Sequence, residues 1–343
     1  MRFLAAVLLL FSTLCLHGEE TYVDKLHKKA SRYVKKISIY ADNTLVSMAN
    51  YIDNKEVNIT KSSQSILKRD KSSVDSFFLN NKFLDETDQS YVSVRPSAFF
   101  SSKEGNEFKI RISAHLALSK SKQRFKLFIN DLDQDNLKKI IADNAADEKK
   151  APSVGINYFR PEKYGIHSKY SLGLRGVYPF VRARYNSEFH LSSWIIEPIQ
   201  EFKYSIKDKF EEETQLFCDT KITNLSLFRL YLSRGTKADT PGMSYNAAVN
   251  LFYTPSENVG LSLSQYLNGS TKYRQVVYKD DTQILYEEYN GIYNYGTSLN
   301  IRQNFWRSWL FYEIEPGVNF HRLYDYKPNY TLRFLLDIFI EQI

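Results

Sequence analysis

The sequence predicts an all-β fold, a closed antiparallel transmembrane β-barrel of about 12–14 strands with an N-terminal helical segment. Three observations predict it. Apolar and polar residues alternate with period two over stretches of about 9–14 residues, and a tilted membrane strand needs about 9–11. Within those stretches one parity is nearly free of charge. The chain opens on an export signal and has no second apolar run long enough for a membrane helix.

Composition excludes the main competing classes. Of 343 residues, 15% are aromatic (25 Tyr, 23 Phe and 3 Trp) and 25% are charged, with a mean hydropathy of -0.42. So many rings exclude intrinsic disorder. So polar a mean excludes a bundle of membrane helices. Two Cys exclude a disulfide-dense scaffold. The net charge of +7 is spread along the chain. With export, this argues against nucleic acid and for an anionic surface such as phospholipid or lipopolysaccharide.

Residues 1–18 read as a signal peptide. Arg2 supplies the positive start, Phe3 to Leu16 is apolar apart from Ser12 and Thr13, and Gly18 is a small residue before the cut. A lipoprotein signal at Cys15 is disfavoured, because Leu14 stands where a small residue belongs. Cleavage leaves Cys218 as the remaining cysteine. Residues 19–88 are expected to form a periplasmic helical segment and linker, and 89–343 the barrel.

Over 21–52, apolar residues recur at Tyr22, Leu26, Ala30, Tyr33, Ile37, Tyr40, Met48 and Tyr51 or Ile52, a helical spacing. Lys25, Lys28, Lys29, Lys35 and Lys36 lie mostly off that stripe. The stripe is expected to pack on the barrel or on a second copy of the chain; the alternative is a basic helix lying on a membrane surface. Residues 53–72 read as a Lys/Ser-rich linker, and 74–84, with Phe77, Phe78 and Phe83, as a short helix before the first strand.

Strand candidates follow at 90–100, 106–118, 123–131, 153–160, 166–175, 179–186, 189–204, 209–222, 225–234, 243–254, 259–269, 290–303, 307–319 and 329–342. A count of twelve results if two weak candidates between 153 and 186 merge or lie outside. The connections near 304–306, 255–258, 223–224 and 187–188 are short, and those near 320–328, 270–289 and 235–242 are longer. Periplasmic turns and outer loops of a barrel differ in this way. Residues 132–152 look helical and fall on the outer side.

Trp194, Phe202, Tyr204, Tyr253, Tyr293, Tyr295, Trp306, Trp309, Tyr324, Tyr326 and Tyr330 lie near strand ends, as two interfacial girdles require. A Tyr-rich soluble sandwich or barrel is the competing reading.

The parity that carries charge defines the expected lumen lining. It contains Arg95, Arg111, Arg175, Arg182, Arg184, Arg229, Arg302 and Arg333, and Glu197, Glu201, Glu213, Asp219, Glu313, Glu315 and Asp337. An Arg or Lys facing lipid at mid-bilayer costs about 2–4 kcal/mol, which drives such sorting. Opposed Arg and carboxylate columns either cross-link a packed lumen or line a water-filled pore with a transverse field. Glu197-Pro198 and Glu315-Pro316 repeat one device, an inward Glu before an outward Pro, and each is expected at a bulge or an unpaired point.

No enzyme signature emerges. There is no Gly-x-Ser-x-Gly, no Cys/His metal spacing and no phosphate-binding glycine loop. His115 is inward, and His167 and Ser168, being neighbours on a strand, point to opposite faces. No catalytic residue, metal or cofactor is expected.

The signal and helical lead-in, Val74-Asp75-Ser76-Phe77-Phe78 before the first strand, the strands carrying Arg95 and Arg111, the segment Trp309-Leu310-Phe311-Tyr312-Glu313-Ile314-Glu315-Pro316-Gly317-Val318 and the final strand Leu332-Arg333-Phe334-Leu335-Leu336-Asp337-Ile338 together resemble uncharacterised proteobacterial (Gram-negative) outer-membrane β-barrel proteins of similar size. The chain departs from such barrels at its end, Glu341-Gln342-Ile343, where an outward Phe or Trp is usual. No activity comes with the resemblance. The expectation is a cell outer-membrane protein with its N-terminal segment periplasmic, acting as a passive pore for small polar solutes. The alternative is a structural barrel with a plugged lumen, and a lipid-modifying hydrolase stands third. Expected partners are outer-membrane lipids, lipopolysaccharide, the barrel-assembly machinery and a second copy through 21–52, with no nucleic acid.

Overall fold

The computed structural model describes residues 22–53, 77, 90–117, 125–129, 152–279 and 284–341. The expected signal, the linker at 53–72 beyond Asp53 and the helix-like stretch 132–151 lie outside the described residues. Helix α1 is Tyr22–Asp53, and the strands are β1 Tyr91–Ser101, β2 Glu107–Ala117, β3 Phe125–Ile129, β4 Ser153–Lys163, β5 Ile166–Arg175, β6 Tyr178–Ser187, β7 Phe189–Leu191, β8 Trp194–Ser205, β9 Lys209–Thr223, β10 Ser226–Lys237, β11 Thr240–Ser256, β12 Val259–Lys279, β13 Ile284–Asn304, β14 Leu310–His321 and β15 Pro328–Glu341.

Each strand pairs antiparallel with its sequence neighbours, β1 pairs with β15, and the additional β6–β8 pairing closes the sheet. β6 and β7 are two segments of one strand, because Asn186↔Ile199 and Phe189↔Ile196 keep the same register on β8. The result is a closed barrel of fourteen strands. The two weak candidates between 153 and 186 are separate strands, so the alternative count of twelve falls. β12 and β13 each run for 21 residues, well beyond a membrane span of about 9–11. Residues 235–242 and 270–289, expected as long loops, are therefore largely strand. Both faces of these extensions carry polar residues, so the period-two signal fades there although the ladder continues.

Burial is inverted relative to a soluble protein. Phe108, Ile110, Ile112, Leu172, Val249, Leu251, Leu263 and Leu299 are exposed, while Ser93, Asn157, Ser171, Asn250, Ser264, Asn268 and Asn294 are buried. Alternate residues on one strand thus put hydrocarbon outward and amides or hydroxyls inward. A water-soluble barrel would place them the other way round, so the soluble reading falls. Trp194, Phe202, Tyr204, Tyr253, Tyr295 and Tyr330 lie exposed on the outer surface. Three of the expected girdle rings do something else. Tyr293 meets His321, Tyr324 meets His321, and Trp309 stacks on His27 of α1 at 4.3 Å.

Glycine and aromatic residues fit together where strands approach closely. Gly155 and Gly173 are cross-strand partners. A Cβ on Gly173 would lie 2.6 Å from the Val154 carbonyl oxygen, and one on Gly155 would meet the Phe128 ring at 2.7 Å. The space above the pair is taken by Phe128 and Phe180, whose centroids are 6.4 Å apart.

The Glu-Pro device leaves gaps in the ladder without a bulge. Between β13 and β14 pairing stops at Ser298↔Gly317 and resumes at Ile301↔Ile314 in unchanged register, so Asn300/Glu315 and Leu299/Pro316 are skipped. Opposite Glu197-Pro198 the ladder breaks between β6 and β7 in the same way. Arg95-Pro96 repeats it on β1, where Val94↔Ile338 is followed by Ser97↔Leu335. Proline has no N–H to give the neighbouring strand, so one side of each ladder lapses while the other continues.

Candidate lumen lining and N-terminal dock

The register sets the charged residues of alternate positions against one another across the strands. Arg95 faces Arg111 across β1–β2. Arg182 and Arg184 on β6 face Ser171 and Lys169 on β5, and Arg175 continues that β5 face. Arg184 also faces Glu201, which faces Glu213. Arg229 faces Asp219, Arg302 faces Glu313, and Glu315 faces Arg333. Phe217 faces Glu197, and Asp337 faces Phe311.

Four β-strands bring four of these together. Asp337 on β15 is fully buried between Arg95 at 3.1 Å and Arg302 at 3.1 Å. Ser93 Oγ donates to Asp337 Oδ1 at 2.8 Å. Arg302 also pairs with Glu313, and its guanidinium stands 4.3 Å from the Phe311 ring centroid. Each charge thus has a partner of opposite sign, the condition under which buried charge is tolerated, although Arg95 Nε and Arg302 Nε make no hydrogen bond. Elsewhere Arg229 grips Asp219 through two bonds of 2.7 Å, Arg333 meets Glu315 at 3.2 Å, and Asn186 Nδ2 donates to Glu197 at 3.0 Å.

Three lysines join the inward arginines. Lys126, Lys169 and Lys203 are buried on β3, β5 and β8, and Lys203 meets Glu211 at 3.1 Å. Their parity is the sequence signal that marks them as inward, as it does the arginines. The amide and hydroxyl residues on the polar parity of β11–β13, Ser262 and Ser264 among them, line the same inner face. Near one rim a cavity of about 150 Å³ lies among Glu201, Lys203, Glu211, Glu213, Lys237 and Asn246.

An inward apolar cluster of Ile199, Phe217, Leu227, Tyr231, Ala248 and Phe252 lines β8–β11, and Phe77 packs against it. Phe77 also meets the Phe311 ring on β14 edge-on at 6.2 Å. A residue that precedes the first strand therefore sits inside the barrel and touches two separate parts of its wall.

Helix α1 docks on the rim where β1 begins and β15 ends. Arg307, in the β13–β14 turn, holds Asp24 through two bonds of 2.8 Å. His27 Nε2 donates to the Phe339 carbonyl at 3.2 Å, and the Ser38 and Ser90 hydroxyls lie 3.0 Å apart. Asp24, Ser31, Val34 and Ser38 are the buried face. The expected contact stripe is the one left outside: Leu26, Tyr33, Ile37 and Tyr40 are exposed. Polar groups choose the dock because the rim offers unpaired strand-end carbonyls and turn guanidinium groups, which demand hydrogen-bonding partners.

His115 lies against Tyr91, and His321 Nδ1 accepts from the Leu323 amide at 2.9 Å. His167 and His190 sit by Glu162 and Glu188.

No family model matches the chain, and no curated protein matches it. Among solved structures, a KdgM porin in complex with disordered oligogalacturonate aligns at 9% identity and TM-score 0.33, over 72% of this chain and 98% of that one. The NanC porin aligns at 8% identity and TM-score 0.36, over 72% and 98%. OmpT of Vibrio cholerae aligns at 9% identity and TM-score 0.41, over 73% and 96%. At these scores nothing about activity passes from those proteins to this chain.

Proposed function

We propose that the chain is an outer-membrane pore protein that passes small polar solutes, with α1 on the periplasmic side. The observation that carries this reading is the inverted burial: amides, hydroxyls and charges face the interior while hydrocarbon faces out. Such a wall hydrates a solute path and opposes charges across it. The outward surface suits phospholipid and lipopolysaccharide, as the expected location requires.

A second reading, a plugged barrel that serves membrane integrity, is favoured by Phe77. Its contacts with both Phe311 and the β8–β11 cluster support that reading. The two readings separate in planar bilayers. A pore gives discrete conductance steps with the full chain, and Phe77→Ala enlarges them. If neither protein gives steps, the pore reading is lost and the plugged barrel stands.

A further inference from the structure

We infer that the lumen selects anions, and that the selecting element is the inner wall of β3–β6. This rests on the pore reading and names the class of solute that the same path takes.

The inward charges are not evenly distributed. From β8 to β15 cations and carboxylates are interleaved: Lys203 with Glu211, Arg229 with Asp219, Arg302 with Glu313 and Asp337, and Arg333 with Glu315. On β3–β6 the inward positions carry Lys126, Lys169, Arg175, Arg182 and Arg184, with Arg111 beside them on β2. Among the described residues, the paired inward positions of β3–β6 carry no carboxylate; Glu162, at the β4 register shift, meets His167 at the rim, and Asp208 lies 3.9 Å from Arg175. The positive excess of the lumen is therefore gathered on one wall.

That wall also holds like charges in direct opposition. Lys169 is the cross-strand partner of Arg184, and Arg182 that of Lys203. Like charges so placed destabilise a sheet. A barrel selected for stability alone would alternate the signs, as most of β8–β15 does, Glu201 opposite Glu213 being an exception. Across the lumen of a fourteen-stranded barrel, β4–β6 look toward β12–β14. The inward groups on β12 and β13 include the uncharged Ser262, Ser264, Asn268, Asn294 and Ser298, while the charges on that side, Arg302, Glu313 and Glu315, are held in ion pairs. A solute between the walls meets ammonium and guanidinium groups on one side, and neutral donors and acceptors with ion-paired charges on the other. That chemistry suits small organic anions bearing hydroxyl or amide groups, with chloride as the simplest permeant.

The full chain, reconstituted in planar bilayers under a tenfold gradient of potassium chloride and then of potassium gluconate, reads this from the reversal potential. The expected result is a preference for the anion of at least about threefold that falls as ionic strength rises. Lys169→Gln/Arg182→Gln/Arg184→Gln should bring the ratio toward one, and Arg184→Gln alone should move it part of the way if the triple variant does not assemble. Conductance steps with equal or cation-favouring permeability would overturn the inference and leave the pore reading intact. Absence of steps in the unmutated protein would remove the pore reading and this inference with it.

Discussion

Arg302 on β13 and Asp337 on β15 meet at 3.1 Å inside the barrel, reaching past the strand between them. With Arg95 on the far side of Asp337, this one carboxylate ties β13 to β15 and β1. It therefore locks the pairing that joins the first strand to the last. Removing it leaves two buried guanidinium groups facing each other, and breaking a buried pair in this way costs about 3–5 kcal/mol. Asp337→Ala should accordingly lower the unfolding midpoint in detergent and weaken heat-modifiable gel migration. A shift equivalent to less than about 1 kcal/mol would show that the cluster does not secure the closure.

The Gly155–Gly173 contact should tolerate no branched side chain. Gly155→Val would force apart the β4–β5 backbones or expel the Phe128 ring. The expected outcome is failure to fold in lipid vesicles, followed by the band shift on gels. Normal folding yield would mean that the close approach is not needed.

The ladder gaps follow from missing proline donors. Pro198→Ala supplies an N–H, and the β6–β7 interruption opposite it should close. Hydrogen exchange would then show a new protected amide at 198, with stability changed by less than about 1 kcal/mol. A rapidly exchanging amide at that position would place the cause of the gap in Glu197 or in the strand bend.

Docking of α1 depends on polar contacts at one face. Asp24→Asn removes the charge-assisted pair with Arg307 and should release the helix to limited proteolysis while leaving the barrel intact. Leu26→Ser and Tyr33→Ser, on the exposed stripe, should not. The reverse pattern would show that the apolar stripe carries the docking.

Glu288 tests electrostatics beyond the membrane span. It lies on the extension of β13, where hydrogen bonds from Lys272 and Arg274 hold its carboxyl below the usual carboxylate range. A lowered value in the folded state means that the ion cluster is complete above the ordinary range and is lost as pH falls through the depressed value. An NMR titration should find Glu288 the more acidic, and Lys272→Gln with Arg274→Gln should return it to the ordinary range. An unshifted titration in the unmutated protein would refute the cluster.

Much of the barrel was legible in the sequence because lipid imposes period two on every strand it touches. Leu263-Ser264 and Leu299-Asn300 declare their faces without any tertiary information. The inward Arg and carboxylate positions followed from the same parity. The signal ends where the solvent is the same on both sides, so the extensions of β12 and β13 read as loops. Helix α1 misled for a related reason. An apolar stripe normally marks the buried face, but here the partner is a rim of strand ends and turns, which binds Asp24, His27 and Ser38 instead. The entry of Phe77 into the lumen had no local signal, since an aromatic residue in a short apolar patch suits many environments.

The account stands most directly on the inverted alternation of the barrel wall. Spin labels placed one at a time along β12, from Gly260 to Asn268, in the protein reconstituted in lipid vesicles would report accessibility to oxygen and to a polar relaxant. The account predicts a strict two-residue period, with Leu261, Leu263, Gln265 and Leu267 sensing lipid and Ser262, Ser264 and Tyr266 sensing the interior. A flat profile, or one in which the leucines are shielded from lipid, would contradict it.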